Sequence, residues 1–524
     1  MSVYGRVAFA ALGVLLATGR STAEEPAAVV AAMEERLVAL IEQVEPSVVS
    51  IVRGRTGPDR LTAGRLNAFG IAPGRPGAAW NDILQFPHPA DPGFVPDQFG
   101  AGVVVADAEG RPFILTNQHV VQGGPAATDA AAADASTRLY VRFHDGRGYY
   151  AAIHASDPRS DLAVLRIDFE SLGVPPAGGP ADFPRSLPLS PSKGYRKGQF
   201  ALVFGNPYGV GRDGSPSVGW GMIGNVLRRP APVGTPLDRD SRRDETIHHY
   251  GTLLQIDSRA DLGFSGGATV DREGKLIGVT TALAAIEGYE STTGFAIPID
   301  DGVRRILDAL LKGHEAEYGF LGVQPADVTA AQRRLFSPAL AQARGAVRAE
   351  SVKKGSPADR GGLQVGDLIL AIDGEAVHTT AELMRHIGLA GPNVNVQLDV
   401  LRPTSDRRTT QRRSMTVRLD KWPVVNDRDL VATVPRHEPW RGIRVDHATA
   451  RERFVAPQLE PYPQGVVVLS AGEAIGGEDP LKPGDFITAV NDRAISSPAE
   501  FHAAVGDAAP VTLRLADGRR IQVP

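Results

Sequence analysis

From residue 100 to 299 the chain repeats one pattern: short runs of alternating apolar and polar residues, each bounded by Gly, Pro, Asn or Asp. Alternation with period two places apolar side chains on one face of a strand. The runs predict strands at 101–105, 112–116, 138–143, 149–154, 162–167, 199–204, 217–227, 252–256, 275–282 and 294–297, after a first strand at 46–52. Short strands at this spacing predict an all-β barrel or sandwich. An Ala-rich insert at 122–137 and an Arg/Asp-rich one at 228–247 interrupt the series, and a Pro/Gly-rich stretch over 54–99 precedes it. Helical spacing appears at 26–44, with Leu37, Leu40, Ile41 and Val44 on one side. It returns at 301–312, where Asp300 is the expected cap and Gly313 the stop.

Beyond residue 313 the pattern changes and then repeats itself. Tyr318-Gly319-Phe320-Leu321-Gly322-Val323 precedes Leu363-Gln364-Val365-Gly366-Asp367-Leu368-Ile369, and Trp440-Arg441-Gly442-Ile443 precedes Leu481-Lys482-Pro483-Gly484-Asp485-Phe486-Ile487. Both halves share L-x-x-G-D-φ-I, where φ is apolar, and each is long enough for a small domain of its own. The predicted division is a leader at 1–23, a β-rich domain at 24–312, a first repeat at 313–420, a linker at 421–436 and a second repeat at 437–524.

Composition narrows the chemistry. The 524 residues contain no cysteine, which excludes thiol nucleophiles, disulfides and thiolate metal sites. The formal charge of −4 gives no electrostatic reason to expect a nucleic-acid partner. Arg6, the 13-residue apolar run Val7 to Gly19 and Ser21-Thr22-Ala23 read as a secretory leader. The run is short for a span of about 20 residues, so an uncleaved anchor is the lesser alternative. Without its leader the charge becomes −6, because Arg6 and Arg20 leave (−4 minus +2).

The candidate chemistry centres on Asp261-Leu262-Gly263-Phe264-Ser265-Gly266-Gly267. A serine among glycines lets backbone press close to a substrate carbonyl, and N–H groups there can converge on a developing oxyanion. By itself this is also common turn chemistry. Upstream, an apolar strand runs into His119, and Asp161 opens another at Ser160-Asp161-Leu162-Ala163-Val164. Base, orienting acid and nucleophile therefore occur as His119, Asp161, Ser265, the chymotrypsin order. An α/β-hydrolase needs Ser, acid, His and alternating helices, so that reading is disfavoured although Gly263–Gly267 fits its elbow. Asp157 competes with Asp161, while His88, His248 and His249 are weaker rivals to His119 because they sit in loops.

Taken together these motifs resemble the HtrA/DegP family. They are T-N-Q-H-V-V at 116–121, S-D-L-A-V-L at 160–165, F-G-N-P-Y-G at 204–209, G-F-S-G-G-A at 263–268 and G-F-A-I-P at 294–298, with the G-D-φ-I of each repeat. The resemblance covers nearly the whole chain after the leader. It implies a mainly β protein: a trypsin-like double six-stranded β-barrel followed by two PDZ (α+β) domains. It also implies an ATP-independent serine endopeptidase acting on unfolded or misfolded polypeptides in the periplasm, assembled as a homotrimer or a multiple of it. Cofactors and metals are not expected. The oxyanion would be met by backbone at Gly263, Phe264 and Ser265. Phe320, Leu321, Gly322 and Val323 of the first PDZ would bind C-terminal peptides by strand addition.

Three departures from the family pattern, and one specificity position, bear on function. Phe264 replaces the small polar residue usual in the family, which either leaves the backbone donors intact or crowds the oxyanion site, and Leu262 is atypical as well. Arg441 stands where the second PDZ loop expects an apolar residue. Arg259, six before the serine, argues against cleavage after Lys or Arg, and Gly278 to Leu283 is the expected wall of an apolar specificity pocket. The alternative is a catalytically silent PDZ scaffold or chaperone, for which Phe264 is the best support.

Overall fold

A computed structural model describes residues 26–55, 98–122, 137–167, 183–191, 194–206, 214–229, 246–281, 293–336, 344–404, 409–425, 430–455, 461–472, 480–506 and 510–524. The leader, most of 54–99 and the larger parts of both inserts lie outside them. Pro26–Val44 is helical, and no helix among the described residues is long and apolar enough to cross a membrane.

The alternating runs form two barrels. β1 (Val48–Arg55), β2 (Gln98–Ala106), β3 (Pro112–Asn117), β4 (Thr137–Phe143), β5 (Gly148–Asp157) and β6 (Leu162–Ile167) are ordered β5-β4-β1-β2-β3-β6, and antiparallel pairing of β5 with β6 closes the ring. β7 (Phe200–Gly205), β8 (Ser217–Arg228), β9 (Leu253–Ile256), β10 (Ala268–Val270), β11 (Leu276–Thr281) and β12 (Gly294–Pro298) form the second closed barrel. Closure removes the free edges that short strands would otherwise expose. Val104, Ile114, Val141 and Leu165 fill the first core, and Val203, Ile223, Leu254 and Ile277 the second. Helix Asp301–Leu311 begins as expected, with the Asp300 carboxylate accepting from the Val303 N–H at 2.9 Å.

The two repeats are two copies of one sheet. Val323–Asp327, Val347–Val352, Leu368–Ile372, Asn395–Pro403 and Thr410–Arg418 are ordered as they occur, and so are Arg444–His447, Val466–Ser470, Phe486–Val490, Val511–Leu515 and Arg520–Val523. Each carries a helix, Thr380–Ala390 or Pro498–Val505, started by a Thr or Ser cap. Leu321, Leu383, Ile387 and Val396 share the first core, and Ile443, Phe501 and Val505 the second.

The segment expected to link the repeats is not a free tether. Val431–Ala432 adds to the first barrel as a strand beside β5. Lys421, 1 % exposed, lies 2.9 Å from Glu315, 3.2 Å from Glu317 and 3.0 Å from Asp446. Arg451 reaches Glu315 at 2.6 Å, and Arg159 of the first barrel reaches it at 3.6 Å. Burial pushes the Glu315 carboxyl up, but Lys421, Arg451 and Arg159 outweigh it and hold the group far below the usual carboxylate range. Such a cluster fixes geometry more than it adds stability, because desolvation offsets much of its attraction. It joins the double-barrel domain, the first repeat and the second.

Candidate active site and peptide-binding loops

β3 ends by passing into the short helix Gln118–Gln122, and that corner grips Asp161. Asn117 Nδ2 and the Gln118 N–H both donate to the Asp161 carbonyl at 3.0 Å. The His119 N–H donates to Asp161 Oδ1 at 3.1 Å, and His119 Nδ1 lies 2.9 Å from each carboxylate oxygen. A carboxylate only accepts, so Nδ1 carries the proton and Nε2 is left with its lone pair, the tautomer a general base needs. Among the described residues Nε2 is buried without a hydrogen-bond partner.

Asp161 sits at φ 52°, in the left-handed region that few side chains adopt. The preceding turn holds it there. Asp157, fully buried, accepts from the Ser160 N–H at 3.0 Å, from Ser160 Oγ at 2.7 Å and from the Tyr318 hydroxyl, while Arg159 Nε lies 3.2 Å from its other oxygen. Burial, reinforced by the Asp157 charge, pushes the Tyr318 phenol well above its usual range and keeps it a donor. On the far side His248 Nε2 is 2.8 Å from the Ser160 carbonyl, and Nδ1 is 2.5 Å from Thr252 Oγ1. Burial pushes the His248 ring below the ordinary histidine range, so it is neutral there. Asp157 and His248, rivals for the acid and the base in the sequence, instead brace the loop that carries Asp161.

The serine turn is built from the opposite barrel. Gly266 has φ 84°, and a Cβ on it would lie 2.0 Å from the Ala101 carbonyl and 2.2 Å from Thr116 Oγ1. Only glycine fits. The Ala101 N–H donates to the Ser265 carbonyl at 2.8 Å, and the Gly266 N–H donates to the Thr280 carbonyl at 2.9 Å. The next residue, Thr281, reaches Asp161 Oδ2 at 3.4 Å. β2, β3 and the end of β11 thus tie the Ser265 turn to the corner that holds His119 and Asp161.

The backbone groups expected to meet an oxyanion are not alike. The Phe264 N–H donates to the Asp261 carbonyl at 3.0 Å, whereas Gly263 takes φ 101° and its carbonyl accepts from the Asn206 N–H. The Phe264 ring lies in the second core. At 6 % exposure it packs there with Val203, Ile223, Leu254 and Ile277, in space that Gly205 leaves by lacking a Cβ. Burying that ring contributes roughly 2–3 kcal/mol. Arg259 is exposed, and the strand expected to wall a specificity pocket is described only to Thr281.

The loop of the first repeat turns its carbonyls into the domain. Leu321 O accepts from the Ala358 N–H at 2.9 Å and Gly322 O from the Lys353 N–H at 3.0 Å, with Gly322 at φ 79°. Successive N–H groups in such a turn form a concavity suited to a carboxylate. Phe320 meets Tyr462 of the second repeat edge-on at 5.7 Å. The equivalent loop of the second repeat closes on itself: Trp440 and Ile443 exchange both backbone bonds at 3.0 and 2.8 Å, and Arg441, at φ 49°, lies over the Trp440 ring. The Ile443 N–H is therefore already engaged.

Two family models match the chain, one in the double-barrel domain and one in the first repeat. A trypsin-like peptidase domain matches residues 100–279 and a PDZ domain residues 348–402. The chain is 31 % identical to the putative serine protease HhoA of Synechocystis sp. over 314 residues, 59 % of this chain and 68 % of the relative. It is 26 % identical to a probable periplasmic serine endoprotease DegP-like protein of Halomonas elongata over 497 residues, 91 % of this chain and 90 % of that one. Among solved structures, the HtrA-type protease AlgW with decapeptide is 25 % identical with a TM-score of 0.47, covering 74 % of this chain and 99 % of its own.

Proposed function

Given that the chain belongs to the HtrA/DegP family of serine endoproteases, we propose that it cleaves unfolded or misfolded polypeptides outside the cytoplasm, with His119 as base, Asp161 as orienting acid and Ser265 as nucleophile. The observation that carries this assignment is the paired 2.9 Å contact of His119 Nδ1 with a buried, left-handed Asp161. His119 Nε2 takes the Ser265 Oγ proton as the oxygen attacks the peptide carbonyl. The N–H groups of Gly263 and Ser265 meet the oxyanion, and Phe264 contributes a buried anchor for the turn rather than a donor. Asp161 stabilises the imidazolium, which then protonates the leaving amine. Water repeats the cycle on the acyl-enzyme, and no nucleotide enters any step.

Phe320 to Val323 bind the carboxyl end of a polypeptide, whose last residues add as a strand beside Val323–Asp327. Tethering substrate this way raises its concentration near Ser265. The active assembly is a homotrimer or a multiple of it. Family membership supports this, and the relatives named periplasmic support a place outside the cytoplasm. Casein tests the assignment. Ser265→Ala is expected to keep the melting temperature and lose cleavage, and full cleavage by that variant would refute it.

A further inference from the structure

The strand that would receive a peptide lacks a donor where strand addition needs one. Among the described residues Val323–Asp327 is the edge of its sheet, paired only with Val347–Val352. Two bonds fix which positions face that partner. Gly322 O accepts from the Lys353 N–H, and at the other end the Val328 N–H donates to Ala346 O, both at 3.0 Å. The register shift between Gln324 and Pro325 skips Glu350 on the partner, so no residue is added to the edge strand itself. N–H and C=O of one strand residue point the same way, and direction alternates. Even positions from 322 to 328 therefore face the sheet, and Val323, Pro325 and Asp327 face the open edge.

Helix Thr380–Ala390 runs along that edge, and Asp327 Oδ1 accepts from the Thr380 N–H and hydroxyl, closing the far end of the groove. A peptide whose carboxylate sits at Leu321–Val323 must run antiparallel to the edge strand. Its last residue then faces Val323, its third from last faces Pro325 and its fifth from last faces Asp327. Pro325 offers a carbonyl but no N–H. Proline is tolerated in an edge strand because its nitrogen faces away from the sheet, and here that direction is the ligand's.

We infer that Pro325 determines how much of a polypeptide the first PDZ domain reads: the carboxylate and last residue are held fully, while the carbonyl of the third residue from the end goes unmet. This inference rests on the peptide-binding role proposed for Phe320 to Val323. The ligand class is therefore polypeptides with a free, accessible carboxyl end, discriminated by their final residue and little by a strand-forming sequence before it. That suits a protein meeting many different unfolded chains.

The test uses the full chain with Ser265→Ala, so that ligand survives, and a fluorescein-labelled octapeptide library with randomised last three positions. The library is made with free or amidated carboxyl ends, and affinity is read by anisotropy. Pro325→Ala should bind the free-acid octapeptides about fivefold more tightly, the net worth of one backbone hydrogen bond. It should bind dipeptides no more tightly. A second measurement avoids any folding defect of the variant. In an octapeptide selected from the library, an E-alkene replacing the peptide unit after the third residue from the end should leave wild-type affinity within twofold. A fivefold loss there, or no gain in a folded Pro325→Ala protein, would overturn the role of Pro325 while leaving peptide capture standing. Equal binding of free acid and amide would overturn peptide capture at this loop and the inference with it.

Discussion

Asparagine at position 157 would keep the shape of the buried side chain and remove its charge. The carboxylate now accepts two bonds from Ser160 and one from Tyr318, with Arg159 beside it. Bonds to a charged group contribute about 1.5–3 kcal/mol each, and breaking a buried charged cluster costs about 3–5 kcal/mol. Asp157→Asn should therefore destabilise the peptidase domain by about 3–5 kcal/mol, and Tyr318→Phe, which removes one bond, by about 1.5–3 kcal/mol. In the proposed mechanism catalysis feels the change through Asp161, because the turn that holds Asp161 at φ 52° is folded around Asp157. A displacement of 1 Å at such a site costs on the order of 10²-fold in rate. Steady-state cleavage of a fluorogenic peptide, with urea unfolding in parallel, separates the two consequences. Asp157→Asn should lower kcat about 10²-fold with KM nearly unchanged, the mark of an interaction made in the transition state. Tyr318→Phe should lower it less. A variant that loses stability yet keeps full kcat would refute the positioning role and leave Asp157 a purely structural residue.

Phe264→Ala should cost about 3–5 kcal/mol in urea unfolding by emptying space in the second core, and it should not raise cleavage. A faster folded variant would mean that the ring obstructs the site after all. Stability should also fall in mild acid. Burial depresses the pKa of both His248 and His447 in the folded protein, so unfolding takes up protons below the unfolded value of about 6.5. The melting temperature should thus hold above about pH 6.5 and drop below it, and His447→Asn should flatten that drop. An unchanged slope in the variant would count against His447 as a source.

Much of this architecture can be read from residue order because its elements are simple. Period-two strands found their places to within three residues at either end, since a slip of one residue would bury polar side chains. β10 escaped notice, as three residues after a glycine pair carry no period. His248 looked like a loop residue because its surroundings are a single turn, Ile247–Tyr250, and its partner Ser160 lies 88 positions away. The place of the Phe264 ring is hidden for a related reason. Whether a ring beside the nucleophile points at the substrate or into the core depends on Gly205, on another strand. The cluster around Lys421 is equally long-range, and the same charges read along the chain look like solvated surface. Pro325 is visible in the sequence, but its consequence needs the facing direction of one edge strand.

In the proposed mechanism His119 and Asp161 activate Ser265, and a fluorophosphonate probe with peptide-level mass mapping tests this on the full chain. The wild-type protein should carry the label on Ser265. Asp161→Asn should slow labelling by on the order of 10⁴-fold through the wrong His119 tautomer, and His119→Ala should abolish it within the same assay. Label on another residue, or Ser265 modified as fast in His119→Ala as in the wild type, would contradict it.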